Sequence, residues 1–155
     1  MTPENIASVQ FRDNYAHTVK PSGRAITWAF KVLALDCEMV FTTQGFELAR
    51  VSIVNSTETV YDKYVKVEGD VLDYKEPFSG IKEEDIKGPG ARTLSEVHAD
   101  LLGPIIHKDT ILVGHSLQYD LLALRLVHTL VVDTAIVFME GTYTPGMFSS
   151  TVGKA

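Results

Sequence analysis

Lys31-Val-Leu-Ala-Leu-Asp36-Cys-Glu38-Met39 is the stretch on which the fold turns. Its run of apolar and β-branched residues predicts a strand, and two carboxylates interrupt it near its end. Side chains alternate faces along a strand with a rise of about 3.3 Å per residue, so Asp36 and Glu38 point one way and Cys37 the other. Two carboxylates on one spot repel, and one is driven toward its neutral form unless a cation lies between them. A hard divalent ion, Mg²⁺ or Mn²⁺, suits such an all-oxygen donor set. The Asp-x-Glu spacing alone favours a blander alternative, a polar strand end wetted by solvent.

Upstream, Ile26 to Leu35 reads as a central strand. Downstream, Phe41-Thr-Thr-Gln-Gly45 reads as a turn, Phe46 to Asn55 as a second strand, and Thr59 to Val67 as a third, which together make an antiparallel meander. The segment Glu68 to Arg92 is charged and Gly-rich, and at about 25 residues it exceeds an ordinary connection. It predicts a functional loop with a helical turn near Lys82 to Ile86. Thr93-Leu-Ser-Glu96 is a capping box opening a helix with Leu94, Val97, Leu101 and Leu102 on one face. Thr110 to Gly114 is a short buried strand. Ser116 stands where it would cap a helix whose Leu117, Leu121, Leu124 and Val127 or His128 recur at helical spacing. Leu130 to Asp133 is a last strand, and the helical crossovers predict that the last two strands run parallel. Three antiparallel strands, then helix, strand, helix, strand, predict an α/β fold with a mixed five-stranded sheet in the ribonuclease-H-like order. Residues 1–24, broken off at Pro21-Ser-Gly23, read as a lead-in or linker. Residues 25–138 form the domain, and 139–155 read as a loose, divergent tail.

With 155 residues, 45% of them hydrophobic and 22% charged, the chain has the material for one soluble globular domain. No apolar stretch approaches the roughly 20 residues that cross a bilayer, and the N-terminus lacks a signal-peptide core, which predicts an intracellular protein without a membrane partner. The single cysteine, Cys37, excludes an internal disulfide, and its place on the core face argues against thiol catalysis. A net charge of −6 argues against broad attraction to nucleic acid, which needs clustered Lys and Arg. A metal-dependent nuclease escapes that exclusion, because its ions reverse the local sign.

Ligands of open sheets with helical crossovers gather outside the carboxyl ends of the strands. Asp36, Glu38 and Asp133 fall on that rim. Asp120 lies four residues past Ser116, on the side of Leu117, Leu121 and Leu124, where an acid is costly unless partnered. Either it is aimed at Asp36 and Glu38, where a metal accounts for it, or it leans toward solvent or the positive end of its helix.

Leu33-Ala-Leu-Asp-Cys-Glu-Met39, Gly45-Phe-Glu-Leu-Ala-Arg-Val51, Tyr61-Asp-Lys-Tyr-Val-Lys66, Phe78-Ser-Gly-Ile81, Gly114-His-Ser-Leu-Gln-Tyr-Asp120 and Val131-Val-Asp-Thr134 follow one another in order. Together they resemble the DEDDh exonuclease superfamily, and within it the Rex-type, GOR-like RNA exonucleases. The resemblance implies a ribonuclease-H-like fold that trims nucleic acid from a 3′ end, with single-stranded RNA as partner and the nucleus as location. It implies two divalent ions, Mg²⁺ or Mn²⁺, held by Asp36, Glu38 and Asp120, which activate a water and stabilise the departing oxygen. Met39, Phe78, Ser79 and His115 are the candidate substrate contacts, Phe78 by stacking on a base.

One departure from the family pattern bears on activity. The third motif, a His followed five residues later by an Asp beyond the strand ending at Asp133, is missing, and Glu140-Gly-Thr-Tyr-Thr-Pro-Gly stands in its place. The sequence therefore predicts a C-terminally shortened, impaired exonuclease, with an inactive chain that binds nucleic acid or protein as the alternative. Loss of a general base costs roughly 10² to 10⁴ in rate. An uncovered apolar patch is expected where the absent helix would lie. His115 and Asp120 repeat the His-x-x-x-x-Asp spacing but belong to the second motif, so His115 reads as a loop residue rather than the base. His17, His98, His107 and His128 read as surface or helix-face residues. Asp133 reads as a residue that orders its turn, and Glu47 and Arg50 as a cross-strand pair.

Overall fold

Leu33, Leu35 and Cys37 alternate with Val32, Ala34 and Asp36, and the first set is buried while the second is exposed. The strand they form organises the computed structural model, which describes residues 14–20 and 30–138. In chain order the elements are β1 (Ala16–His17), β2 (Val32–Thr42), β3 (Gly45–Val54), β4 (Thr59–Tyr64), β5 (Val71–Asp73), α1 (Glu76–Ser79), α2 (Glu83–Lys87), α3 (Leu94–Leu101), β6 (Ile111–Gly114), α4 (Leu117–Ala123), β7 (Leu126–Val127), β8 (Val131–Asp133) and α5 (Thr134–Val137).

The main sheet runs β4-β3-β2-β6-β8, with β5 added against the end of β2. Strands β4, β3 and β2 are antiparallel, while β2, β6 and β8 are parallel. This is the expected mixed sheet. The main core lies on one side of it, where Leu33, Leu35 and Cys37 meet Val97 and Leu101 of α3 and Leu117 and Leu121 of α4. A second, smaller core joins Val40 and Ala49 to Ile81 and Ile86. Arg50 faces Glu38 and Leu48 faces Met39, so Ala49 is an extra residue in β3 and the ladder is bulged there.

Several boundaries differ from the sequence reading. β2 continues to Thr42, and the Phe41–Gly45 turn shrinks to Thr43 and Gln44. The Phe41 and Phe46 rings meet across the hairpin with centroids 5.2 Å apart, and Gly45 takes a φ of 105° to reverse the chain. The segment 68–92 is more ordered than a loop, because Ile81 and Ile86 anchor α1 and α2 over the small core. Helix α3 begins as its capping box requires, with Glu96 N–H donating to the Thr93 hydroxyl and Thr93 N–H to the Glu96 carboxylate. Helix α4 stops at Ala123 instead of reaching His128, since Arg125 adopts a φ of 48° and Leu126–Val127 pairs with β1.

Residues 14–20 of the segment read as a lead-in are built into the domain through β1 and through Lys108 N–H donating to the Val19 carbonyl. His107 and His128 are buried, against the surface or helix-face reading. His128 Nε2 lies 2.6 Å from the Thr110 carbonyl and its Nδ1 3.0 Å from the Thr18 hydroxyl, so it fastens β1 to the core. His98 Nε2 lies 2.6 Å from the Leu124 carbonyl. The tail 139–155 lies outside the described residues, as do 1–13 and 21–29.

The sheet face opposite the main core is open beside β2 and β6. Val32 is 52% exposed, Ile111 and Val132 are exposed as well, and a broad cleft is lined by Phe30, Val32, Ala34, Val54 and Val113. No helix among the described residues is long and apolar enough to cross a membrane.

Candidate active site

Strand β6 accompanies β2 as far as Ala34↔Val113 and no farther. Past that point the chain turns through Gly114-His-Ser116 into α4. The turn is tight, because a Cβ on Gly114 would lie 2.7 Å from the Leu35 carbonyl oxygen and 2.6 Å from a Leu117 methyl. Asp120, the fourth residue of α4, fills the space that β6 vacates. Its carboxylate lies close enough to Cys37, between the two acids of β2, for the backbone N–H to favour its charged form, and only 6% of the residue is exposed.

Asp36 is exposed and Glu38 half-buried on the open side of β2. Burial raises the Asp120 carboxyl to about 6; the Asp36 charge pushes the same way, and the nearby Cys37 N–H opposes them. Glu38 is also raised, first by burial and then by Asp36, with Arg50 pulling it back. The Cys37 thiol is raised well above its usual value, mainly by burial and then by the Asp120 charge. It stays protonated beside that carboxylate, in keeping with the exclusion of thiol chemistry. The structure thus brings Asp120 inward to the neighbourhood of Asp36.

The turn is held from β8. The Asp133 carboxylate accepts from Ser116 N–H at 2.8 Å, Leu117 N–H at 2.9 Å and Ala135 N–H at 2.9 Å. Asp133 therefore orders its turn, as read, and Ser116 does not cap α4. Ser116 takes a φ of 57° and makes no side-chain cap bond, because Asp133 already serves the helix N–H groups. Next to it, the Thr134 hydroxyl donates to the Gly114 carbonyl at 2.9 Å and stands 3.3 Å from His115 Nδ1. That hydroxyl has one proton, so His115 Nδ1 carries the hydrogen between them and its exposed ring leaves Nε2 free.

The remaining candidates are scattered. Met39 is half-buried and packs against the main core. Phe78, 88% exposed, projects from α1. The Ser79 hydroxyl donates to the Tyr74 carbonyl at 2.8 Å and accepts from Ile81 N–H at 3.0 Å, so it is spent on its own loop. Arg50 pairs across strands with Asp62 through two bonds of 2.8 and 2.6 Å, rather than with Glu47. Glu47 instead accepts from Glu68 and Gly69 N–H, each at 2.9 Å. Sequence reasoning missed Asp62 as that partner. Strand alternation alone leaves the β3–β4 register open, and the register decides which acid Arg50 meets.

Among the described residues, no three His, Cys, Asp or Glu side chains stand close enough to enclose an ion. In kind, however, the residues fit a hard divalent cation. All three donors are carboxylates, Asp36 raises both neighbours, and Arg50, the facing cation, is engaged by Asp62.

No family model matches the chain. It is similar to the RNA exonuclease 1 homolog of Homo sapiens, with 47% identity over 108 residues that cover 69% of this chain and 9% of that protein. The putative exonuclease GOR of Homo sapiens is 48% identical over 108 residues, covering 69% and 16%. RNA exonuclease 3 of Candida glabrata is 44% identical over 115 residues, covering 72% and 28%. The chain thus spans well under a third of these relatives' length. Among solved structures, the Neurospora crassa Pan2 catalytic unit, with its protease and nuclease domain, superimposes with a TM-score of 0.62 and 25% identity, covering 93% of this chain and 26% of that one. A Saccharomyces cerevisiae Pan2 pseudoubiquitin hydrolase-RNA exonuclease module in complex with AAGGAA RNA gives a TM-score of 0.62 at 23% identity over 87% of this chain and 26% of its own, a likeness of fold.

Proposed function

We propose, from the premise that this chain belongs to the Rex- and GOR-like RNA exonucleases over 69% to 72% of its length, that it is a metal-dependent 3′→5′ exonuclease domain acting on single-stranded RNA ends. One observation carries the reading: Asp120 of α4 is buried beside Cys37, the residue between the two acids of β2, and feels the charge of Asp36. Asp36, Glu38 and Asp120 are the residues that would hold Mg²⁺ or Mn²⁺, two ions by the family's pattern. Bound there, the cations supply water activation and neutralise charge at the scissile phosphate. Burial raises the pKa of both Glu38 and Asp120, and a bound cation would favour their charged forms. Phe78 offers an exposed ring on which a terminal base can stack. Met39, beside Glu38 in the chain, and His115, with Nε2 free, are the other substrate contacts. A nuclear location belongs to the same family reading, and imaging a fluorescent fusion tests it.

A second reading has its own support. Among the described residues, Asp36, Glu38 and Asp120 are not close enough together to enclose an ion. In this reading the domain binds RNA with little or no hydrolysis. Incubating it with end-labelled single-stranded RNA and Mn²⁺, beside Asp36→Ala, decides between the two. A ladder from the wild type that the variant fails to give supports the exonuclease. Equal ladders remove it, and a shifted RNA band with no ladder favours the binding reading. A matched DNA oligonucleotide reports whether RNA is preferred.

A further inference from the structure

We infer that Asp133 is a positioning residue for the acidic site, its carboxylate fixing the turn from which α4 aims Asp120 at Cys37 and Asp36. The inference rests on the metal-site reading above. Capping α5 requires only the bond from Ala135 N–H. The other two bonds to Asp133 come from Ser116 and Leu117, which lie 17 and 16 residues earlier in the chain and belong to the start of α4. The carboxylate is therefore a clamp between β8 and α4 as well as a cap.

What it clamps is a strained point. Ser116 holds a φ of 57°, a left-handed conformation that a residue with a Cβ keeps only when its surroundings over-determine it. Here Asp133 grips the N–H groups of Ser116 and Leu117, and the Thr134 hydroxyl grips the carbonyl of Gly114 just before them. Asp120 sits one helical turn beyond this pivot, on a helix whose Leu117 and Leu121 pack with Cys37, so a small tilt at Ser116 moves its buried carboxylate relative to β2. Asp133 bonds to the first residues of α4 and not to Asp120 itself, so it acts through the placement of the helix.

Binding of Mn²⁺ to the wild type, Asp133→Ala, Asp133→Asn and Thr93→Ala, followed by electron paramagnetic resonance, tests this. Thr93→Ala removes a helix cap far from the site and controls for general loosening. Support for the inference is binding about tenfold weaker or worse in Asp133→Ala, the loss expected when an outer-shell partner is removed. It also requires an intermediate loss in Asp133→Asn, which keeps one acceptor oxygen, and none in Thr93→Ala. Equal binding by wild type and Asp133→Ala overturns it. Amide hydrogen exchange supplies a readout that needs no metal. Exchange at Cys37 should accelerate in the Asp133 variants and stay unchanged in Thr93→Ala; unchanged exchange in all of them also overturns the inference. A wild type that takes up no Mn²⁺ removes the metal reading alone, and the Cys37 exchange rate then decides the role of Asp133. Should Asp133→Ala fail to fold, Asp133→Asn is judged by the same two measurements.

Discussion

Asp120 is held where its charge is unfavourable, and that has a measurable sign. Its carboxyl lies at about 6 in the folded chain against 3.8 for the free group. Between those values the native state keeps a proton that the unfolded state has lost, so stability falls as pH rises from about 4 to 6 and levels off above. About two units correspond to roughly 3 kcal/mol. Asp120→Asn, which stays neutral at nearly the same size, should gain on the order of 1 to 3 kcal/mol in urea unfolding at pH 7. It should gain nothing below about pH 4, and it should lose metal binding. Parallel stability–pH curves for the two proteins would exclude a buried, destabilising carboxylate. At this scale the sequence was informative wherever a period applied. Strand alternation placed Asp36 and Glu38 together, and the helical stripe offered an inward Asp120 as one of two alternatives. It was silent wherever a contact came from a distant element. The left-handed backbone of Ser116 is imposed by Asp133, and no local propensity announces it.

Elements were legible in type more than in extent. The capping box at Thr93 and the short apolar strand at Ile111 stand where the sequence puts them, because both signals are local. Helix α4 looked longer than it is. Leu124 and His128 keep helical spacing by chance, while pairing with β1 pulls Leu126–Val127 into a strand. Segment 68–92 looked looser than it is, since Ile81 and Ile86 gain their meaning only from Val40 and Ala49 across the chain. Ile86→Ala should therefore cost about 2 to 4 kcal/mol. Amide exchange should rise selectively over residues 71–87, with Leu112 and Val113 of β6 unchanged; a uniform rise would show that the small core is not a separate unit.

Across the described residues, helices α3 and α4 pack on one side of the sheet, and α1 and α2 lie over Val40 and Ala49 on the other. Since Val32 already faces water, Val32→Lys should change stability by no more than about 0.5 kcal/mol. It should also reduce the binding of a dye that reports exposed apolar surface. Unchanged dye binding would mean that this face is not what the dye detects.

The early end of β6 carries one more implication. A ragged hem in the sheet is what leaves room for an acid beside β2. Extending β6 by two residues past Gly114 would zip that edge shut and evict the carboxylate, leaving ordinary pleating in its place.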